Sequence, residues 1–481
     1  MKYSRFIIAF FVLSLALVSF SKKSEKPNVI VIYFDDMGYG DTEPYGMTGV
    51  HTPNFNRMAA EGMRFTNYNT IQAVCSASRA ALLTGAYTNR IGLAGALGPK
   101  APIALSREEE TVASLLKGNG YVTGMLGKWH LGSEAPYFPK SYGFDSFYGL
   151  PYSHDYWPIG YDGKPITAEN DIRKSWPPLP VIDGNDIVRT ITTLEEQAEW
   201  TTTLTEKAVS FIKTNKKGPF FLYLAHPLPH VPLVVSDKFK GKSKLGLFGD
   251  VMMELDWSIG EILNTLDKEK LAENTIVMIM SDNGPWIHFG NSAGSSGGFR
   301  EGKGTTFEGG TRVPCLVRWP KKIKAGNVSG ELMTNMDILP TISAMTGSAL
   351  PKKRIDGQNF MPLMTGQTVD GPRDMFYYYY NQNSLKGIRY KQWKLVLPHK
   401  SLSYELGTIG RDRFPGQTKP MDVPMALYNL AHDPGERYDL QKVYPEVVNE
   451  IMKYVEEARA DLGDDLTGRE GANRRPPAKV H

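Results

Sequence analysis

Two stretches of the chain are uninterrupted apolar runs that end abruptly in oxygen-bearing side chains. The first is Val29-Ile30-Val31-Ile32-Tyr33-Phe34, followed by Asp35-Asp36. The second is Thr275-Ile276-Val277-Met278-Ile279-Met280, followed by Ser281-Asp282-Asn283-Gly284. A run apolar at every position, rather than every second one, predicts a strand buried on both faces, as in a parallel sheet covered by helices. Open α/β sheets bind ligands at the carboxyl ends of such strands, which is where both polar pairs fall. Phe220 to Leu224 and Tyr121 to Leu126 are shorter runs of the same kind. Between them the period becomes helical: Asn54 to Met63 behind Pro53, Thr111 to Lys117, Leu194 to Lys213 and Phe248 to Leu266. The alternation predicts an α/β domain on a mostly parallel mixed sheet flanked by helices. No internal repeat or sustained heptad interrupts it.

Beyond Gly366-Gln367-Thr368-Val369-Asp370-Gly371-Pro372 the pattern shortens. Met375 to Tyr380, Leu385 to Tyr390 and Trp393 to Leu397 read as strands of an antiparallel sheet, followed by Leu427-Tyr428-Asn429-Leu430 and a helix from Pro445 to Leu462. The expected organisation is a large domain over 26–371, a smaller C-terminal α+β domain over 372–466, and a flexible tail over 467–481, where Arg, Pro and Gly are frequent. Residues 1–21 have the form of a signal peptide: Lys2 and Arg5, an apolar run from Phe6 to Phe20, and the cleavage site Ser19-Phe20-Ser21. That run is short for a membrane span, and no second long one follows. The expectation is an exported chain, periplasmic or secreted, with no stable membrane span once the signal is removed.

Composition mainly excludes. Over 481 residues the formal charge is only +4, so nothing draws the chain to nucleic acid in general. Two cysteines rule out a disulfide framework. Cys315 lies in the apolar run Val313-Pro314-Cys315-Leu316-Val317 and reads as core. Cys75 instead opens Cys75-Ser76-Ala77-Ser78-Arg79-Ala80-Ala81-Leu82-Leu83-Thr84-Gly85, the start of a helix stopped by glycine. Free backbone N–H groups and the helix dipole attract an anion there, and the same field is expected to lower the thiol's pKa.

Other segments carry chemistry of their own. Asp35, Asp36, Asp282 and Asn283 offer only oxygen, which suits a hard cation, Ca2+ before Mg2+ and zinc poorly, unless the acids simply cap the next turns. In Gly127-Lys128-Trp129-His130-Leu131-Gly132 the ammonium and imidazole are two residues apart, so an extended segment turns both to one side. Ala225-His226-Pro227-Leu228-Pro229-His230-Val231-Pro232 holds two histidines in a proline-stiffened loop at a strand's carboxyl end, a candidate acid/base position. Lys303 stands between glycines in Gly302-Lys303-Gly304-Thr305-Thr306-Phe307-Glu308-Gly309-Gly310.

In this order the segments resemble the type I sulfatases, in particular the arylsulfatase A and N-acetylgalactosamine-6-sulfatase-like branch of the alkaline phosphatase superfamily. The matching motifs are C-x-(P/A)-S-R with L-x-T-G, D-D-x-G-x-G-D at Asp35 to Asp41, G-K-W-H-L-G, H-x-P ending the histidine loop, D-N-G, and G-K-G-T-x-x-E-G-G. Gly149-Leu150-Pro151-Tyr152-Ser153-His154-Asp155 matches the branch, and Ala77 stands where many members have proline. The resemblance implies an alkaline-phosphatase-like large domain with a smaller C-terminal one. It implies that a maturation enzyme converts Cys75 to formylglycine, whose hydrated aldehyde is the nucleophile. Asp35, Asp36, Asp282, Asn283 and residue 75 would hold Ca2+, with Asp41 structural. Arg79, Lys128 and Lys303 would supply positive charge, His230 the general acid, and His130 help in releasing sulfate. Ser153, Lys128, His230 and Lys303 would touch the substrate.

The expected substrate is a sulfated carbohydrate. Alternatives are a formylglycine-dependent phosphodiesterase or phosphonate hydrolase, and a non-catalytic binder of sulfated glycans. His154 and Asp155 either contact substrate or support the pocket, and His226 either supports the site or packs in the core. Tyr156, Trp157 and Tyr377 to Tyr380 either stack on sugar rings or pack internally.

Overall fold

The computed structural model describes residues 26–480, so the signal peptide expected over 1–21 lies outside the described residues. At its centre the two apolar runs pair directly. Asn28–Phe34 and Thr275–Ser281 lie parallel and in register, Asn28 opposite Thr275 and Phe34 opposite Ser281. Phe220–Ala225 flanks Asn28–Phe34 on the other side, followed by Val122–Lys128 and Ser146–Leu150, all parallel. Antiparallel pairing adds the outer strands of a ten-stranded sheet, Leu179–Asp183 and Asp186–Ile191 on one side, Cys315–Arg318 and then Met63–Phe65 on the other, where the outermost Asn327–Ser329 pairs parallel to Met63–Phe65.

Every residue of the two central strands is buried because each face has its own apolar layer. Val29, Val31 and Tyr33 point into one core with Ala80, Leu83, Phe221 and Met278. Ile30, Ile32 and Phe34 point into the other with Leu204, Leu255, Ile259 and Leu222. The helices Cys75–Thr84 and Ile338–Thr346 cover the first face; Trp200–Asn215 and Gly246–Lys268 cover the second. A second, four-stranded antiparallel sheet orders Met375–Tyr380, Ser384–Tyr390, Trp393–Val396 and Ala426–Asn429, and packs on the helix Pro445–Leu462 through Ile451, Val455 and Leu462.

Three features depart from the pattern reading. The helix expected from Leu194 begins at Trp200, because the Glu196 carboxylate turns back to accept the N–H groups of Thr192 and Thr193 and leaves a short 3-10 turn ahead of it. The hairpin Leu179–Ile191 is absent from the pattern reading; its outer strand is exposed at five of six positions, Ile187 and Val188 among them. The tail, expected to be flexible over 467–481, is strapped to the large domain through residue 480. Ala478 and Lys479 pair with Ala104 and Ile103, and the Arg475 guanidinium grips Glu109 at 2.8 and 2.9 Å. Arg469 and Arg475 have carboxylate partners in Glu456 and Glu109, which composition alone does not reveal.

Arg90 ties these parts together. Its side chain is 1% exposed and donates to Asp356 at 2.8 and 2.6 Å, to Asp461 at 2.7 Å and to the Asn473 carbonyl at 3.0 Å. Removing one member of a buried ion network leaves the others uncompensated, a loss of about 3–5 kcal/mol. R90M should therefore lower the urea midpoint markedly without altering the central sheet; an unchanged midpoint would contradict the network's role.

Candidate active site

The parallel register sets Asp35 and Asp36 beside Asp282 and Asn283 at one end of the sheet. Asp36 has φ +63°, unusual for a residue with a side chain. That turn lets its N–H donate to Asp282 Oδ1 at 3.1 Å while its carboxylate accepts from Asn283 Nδ2 at 2.7 Å. Strained backbone of this kind persists where surrounding contacts over-determine it.

The helix Cys75–Thr84 is buried along its whole length and ends on Gly85 in the left-handed region at φ +68°. Arg79, one turn beyond Cys75, shares its face. Its guanidinium donates to Asp282 Oδ2 at 3.1 and 2.7 Å and to the Lys128 carbonyl at 3.0 Å, and stands 3.7 Å from Asp35. Lys128, at the end of its strand, reaches Asp35 at 2.5 Å and the Ser153 hydroxyl at 3.0 Å. Lys303 reaches Asp36 at 2.7 Å and lies 4.5 Å over the Trp286 ring.

His230 Nδ1 is 2.5 Å from the Val231 carbonyl, which can only accept, so this nitrogen carries the hydrogen. Nε2 is thereby turned to the site, 3.6 Å from Asp36. His130, at φ +62°, is buried with no hydrogen-bond partner on either ring nitrogen. Burial first, then Lys128 and Arg79, hold its pKa well below the ordinary value, so the ring is neutral.

The thiol does not behave as its helix position predicts. Cys75 is 2% exposed, and burial, with Asp35 adding to it, pushes its pKa up despite Lys128 and Lys303. The helix-terminus field is outweighed by desolvation and a buried carboxylate, so the expected lowered pKa is corrected to a raised one.

Asp35 is held well below the usual carboxylate range: burial opposes this, but Lys128, His230, Arg79 and Lys303 prevail. Asp282 moves the other way, up to about 7, through burial and the charge on Asp35. Cation binding has a clear place here. Asp35 Oδ1 and Asn283 Oδ1 are buried without a partner. Ligand atoms of Asp35, Asp36, Cys75 and His230 lie within 4.8 Å of one another. The residues fit a hard divalent ion, although His230 rather than Asp282 completes the most compact group.

A cavity of about 250 Å³ opens onto this cluster, walled by Cys75, Asp155, Tyr156, Trp286, Tyr380 and Tyr404. Ser153 lines it too, whereas Arg79 and Lys128 lie behind it, fully buried. His154 bonds the Pro232 carbonyl at 3.3 Å and stands edge-on to His230. His226 is a core residue: it meets Ser258 at 3.2 Å, stacks on Phe34, and burial lowers its pKa to about 3. Asp41 is structural, accepting the N–H groups of Gly38 and Ser295. Trp157, Tyr378 and Tyr379 pack internally. The pattern reading missed Trp286 and Tyr404: Trp286 stands two residues beyond Asp282-Asn283-Gly284, a signal that marks it, whereas nothing local marks Tyr404.

A buried cysteine ringed by cations and carboxylates, at the carboxyl end of a mostly parallel sheet, is the arrangement of a hydrolase of the alkaline phosphatase superfamily. The Sulfatase family model matches residues 27–348, and the C-terminal region of aryl-sulfatase matches residues 371–478. The chain belongs to the sulfatase family and is a sulfuric ester hydrolase. It is 34% identical to arylsulfatase A of Homo sapiens over 474 residues, 95% of this chain and 92% of that protein. It is also 34% identical to the N-acetylgalactosamine-6-O-sulfatase of Bacteroides thetaiotaomicron, over 91% of this chain and 94% of that one. A structure solved in work on the metabolism of multiple glycosaminoglycans by Bacteroides thetaiotaomicron superposes with a TM-score of 0.74 at 32% identity, covering 91% of this chain and all of that one.

The raised thiol pKa is directly testable on protein made in a host that leaves Cys75 unmodified. Iodoacetamide at pH 8 should leave Cys75 unlabelled in the folded chain and label it rapidly in guanidinium. Fast labelling of the native protein would overturn the desolvation argument.

Proposed function

We propose that the chain removes sulfate from a sulfated carbohydrate after Cys75 is converted to formylglycine, and that Asp35, Asp36, Asp282 and Asn283 hold Ca2+ with residue 75. The observation that carries this reading is the convergence of Arg79, Lys128 and Lys303 on the carboxylates beside Cys75. Support for a sugar substrate comes from the relative named as an N-acetylgalactosamine-6-O-sulfatase and from the rings of Tyr156, Trp286, Tyr380 and Tyr404 around the cavity. The pattern of residues 1–21 supports export to the periplasm or beyond.

The hydrated aldehyde would supply the attacking oxygen, and Ca2+ would supply Lewis-acid polarisation at residue 75. The rest falls to the chain's own groups. Lys303 and the Ser153 hydroxyl, which line the cavity, offer donors to the sulfate oxygens, where charge grows in the transition state, and Lys128 behind them adds positive charge through its bond to Ser153. Arg79 orients Asp282 through two hydrogen bonds and spreads its positive charge towards Asp35. His230 keeps Nδ1–H on the Val231 carbonyl, leaving Nε2 to deliver a proton to the departing alcohol. His130, neutral and unpartnered, is able to take up a proton as sulfate leaves.

C75A should fold and lose turnover, and the wild-type peptide spanning residue 75 should show the mass of thiol-to-aldehyde conversion. Retained activity in C75A would end the proposal. A general acid matters most for a poor leaving group. H230A should therefore lose roughly 10²–10⁴-fold on a sulfated monosaccharide and markedly less on 4-nitrophenyl sulfate. Equal losses would assign His230 to binding instead. Chelation of divalent ions should abolish turnover, and Ca2+ should restore it.

A further inference from the structure

A second cleft, of about 420 Å³, lies at the seam between the two sheets, and none of its lining residues belongs to the cavity at Cys75. Its walls include Arg312, Arg373, Arg389 and Lys391, against the carboxylates of Glu331 and Asp374. Arg373 is neutralised, donating to Asp337 at 3.0 and 2.5 Å. Glu331 is occupied by the Gly371 N–H at 2.9 Å, and Asp374 faces solvent.

Arg389 is different. It is 5% exposed, on the strand Ser384–Tyr390, yet its partners are neutral: the Lys391 carbonyl at 2.9 Å and Asn67 Oδ1 at 2.8 Å. Among the described residues it makes no ion pair, and its Nη2 carries no hydrogen bond. The carboxylate whose charge it offsets, Glu308, is already bound by Lys394 at 3.3 Å and by the Tyr378 hydroxyl at 3.0 Å. Arg312 spends Nε on the Thr66 carbonyl and stands 3.6 Å from Glu308. Lys391, exposed at φ +54°, lies 5.3 Å from the Tyr390 ring with no acid paired to it. A guanidinium this buried with no carboxylate bonded to it, its nearby Glu308 already shared with Lys394 and Arg312, leaves positive charge in excess, and its planar fork matches an oxyanion.

We propose that this cleft is a second oxyanion site, in which Arg389, Lys391 and Arg312 grip a sulfate group. That sulfate is either the free inorganic ion or a half-ester on another unit of a sulfated polymer, and two measurements separate the sources. Calorimetric titration with sodium sulfate at low ionic strength should give two binding events in the full-length protein and one in R389Q and in K391E. If the group is polymer-borne, K391E should raise KM for a sulfated polysaccharide about tenfold relative to KM for a monosulfated monosaccharide. Circular dichroism checks folding of R389Q, and K391E changes only a surface side chain. If K391E binds sulfate with wild-type stoichiometry and affinity and leaves the ratio of KM values unaltered, the site does not exist.

Discussion

The structure depends on keeping three carboxylates and three cations together out of water. Asp35, Asp36 and Asp282 are met by Arg79, Lys128 and Lys303, and none of the six is more than 8% exposed. Any one of these charges alone would be prohibitive in such a place. Each is tolerated because its partner arrives at bonding distance from a different element: Arg79 from a helix, Lys128 from a strand end, Lys303 from a glycine-bounded loop. The parallel register of Asn28–Phe34 with Thr275–Ser281 is what sets the acids side by side. A shift of one residue would turn Asp35 and Asp282 away from each other.

The C-terminal part of the chain belongs to this arrangement and is no appendage. The Tyr404 hydroxyl donates to the Lys303 carbonyl at 2.5 Å, and Glu301, at φ +57°, accepts from the Ser403 hydroxyl and the Tyr404 N–H at 2.6 and 2.7 Å. Deeper in, Lys394 bridges Glu308 at 3.3 Å and Glu436 at 2.8 Å, beneath the same glycine-rich run. The segment bearing Lys303 is thus fixed from the C-terminal side, while Tyr380 and Tyr404 wall the cavity Lys303 faces. Geometry at the reacting centre and shape at its mouth share one set of contacts.

How much of this was legible in the sequence follows from how local each signal is. Strands buried on both faces announce themselves because every position must be apolar, so the Asp35-Asp36 and Asp282-Asn283 termini were readable. The motifs around Lys128, His230 and Lys303 were readable as a resemblance, and the fold brings all of them to one place. What failed was non-local. The thiol's environment is decided by Asp35, forty residues earlier in the chain, and by burial, so a rule about helix termini gave the wrong sign. The tail looked solvated because its partners, Glu109 among them, lie far upstream. Tyr404 lines the cavity through tertiary packing that no spacing encodes.

His130, expected to help in releasing sulfate, and His226, left open between site and core, show how such a site is recognised. Burial keeps His130 and His226 neutral, so charge does not separate them. Connection does: His226 meets Ser258 through Nε2 and lies flat on Phe34, so only its Nδ1 is left without a partner. His130 is held in a left-handed backbone conformation, beside Lys128 in the chain and edge-on to Tyr156, with neither nitrogen partnered. A polar ring confined at that expense in strain and desolvation gains nothing for the fold. In the proposed function those unpartnered nitrogens leave it free to take up a proton, which separates it from a histidine whose ring is held by core contacts.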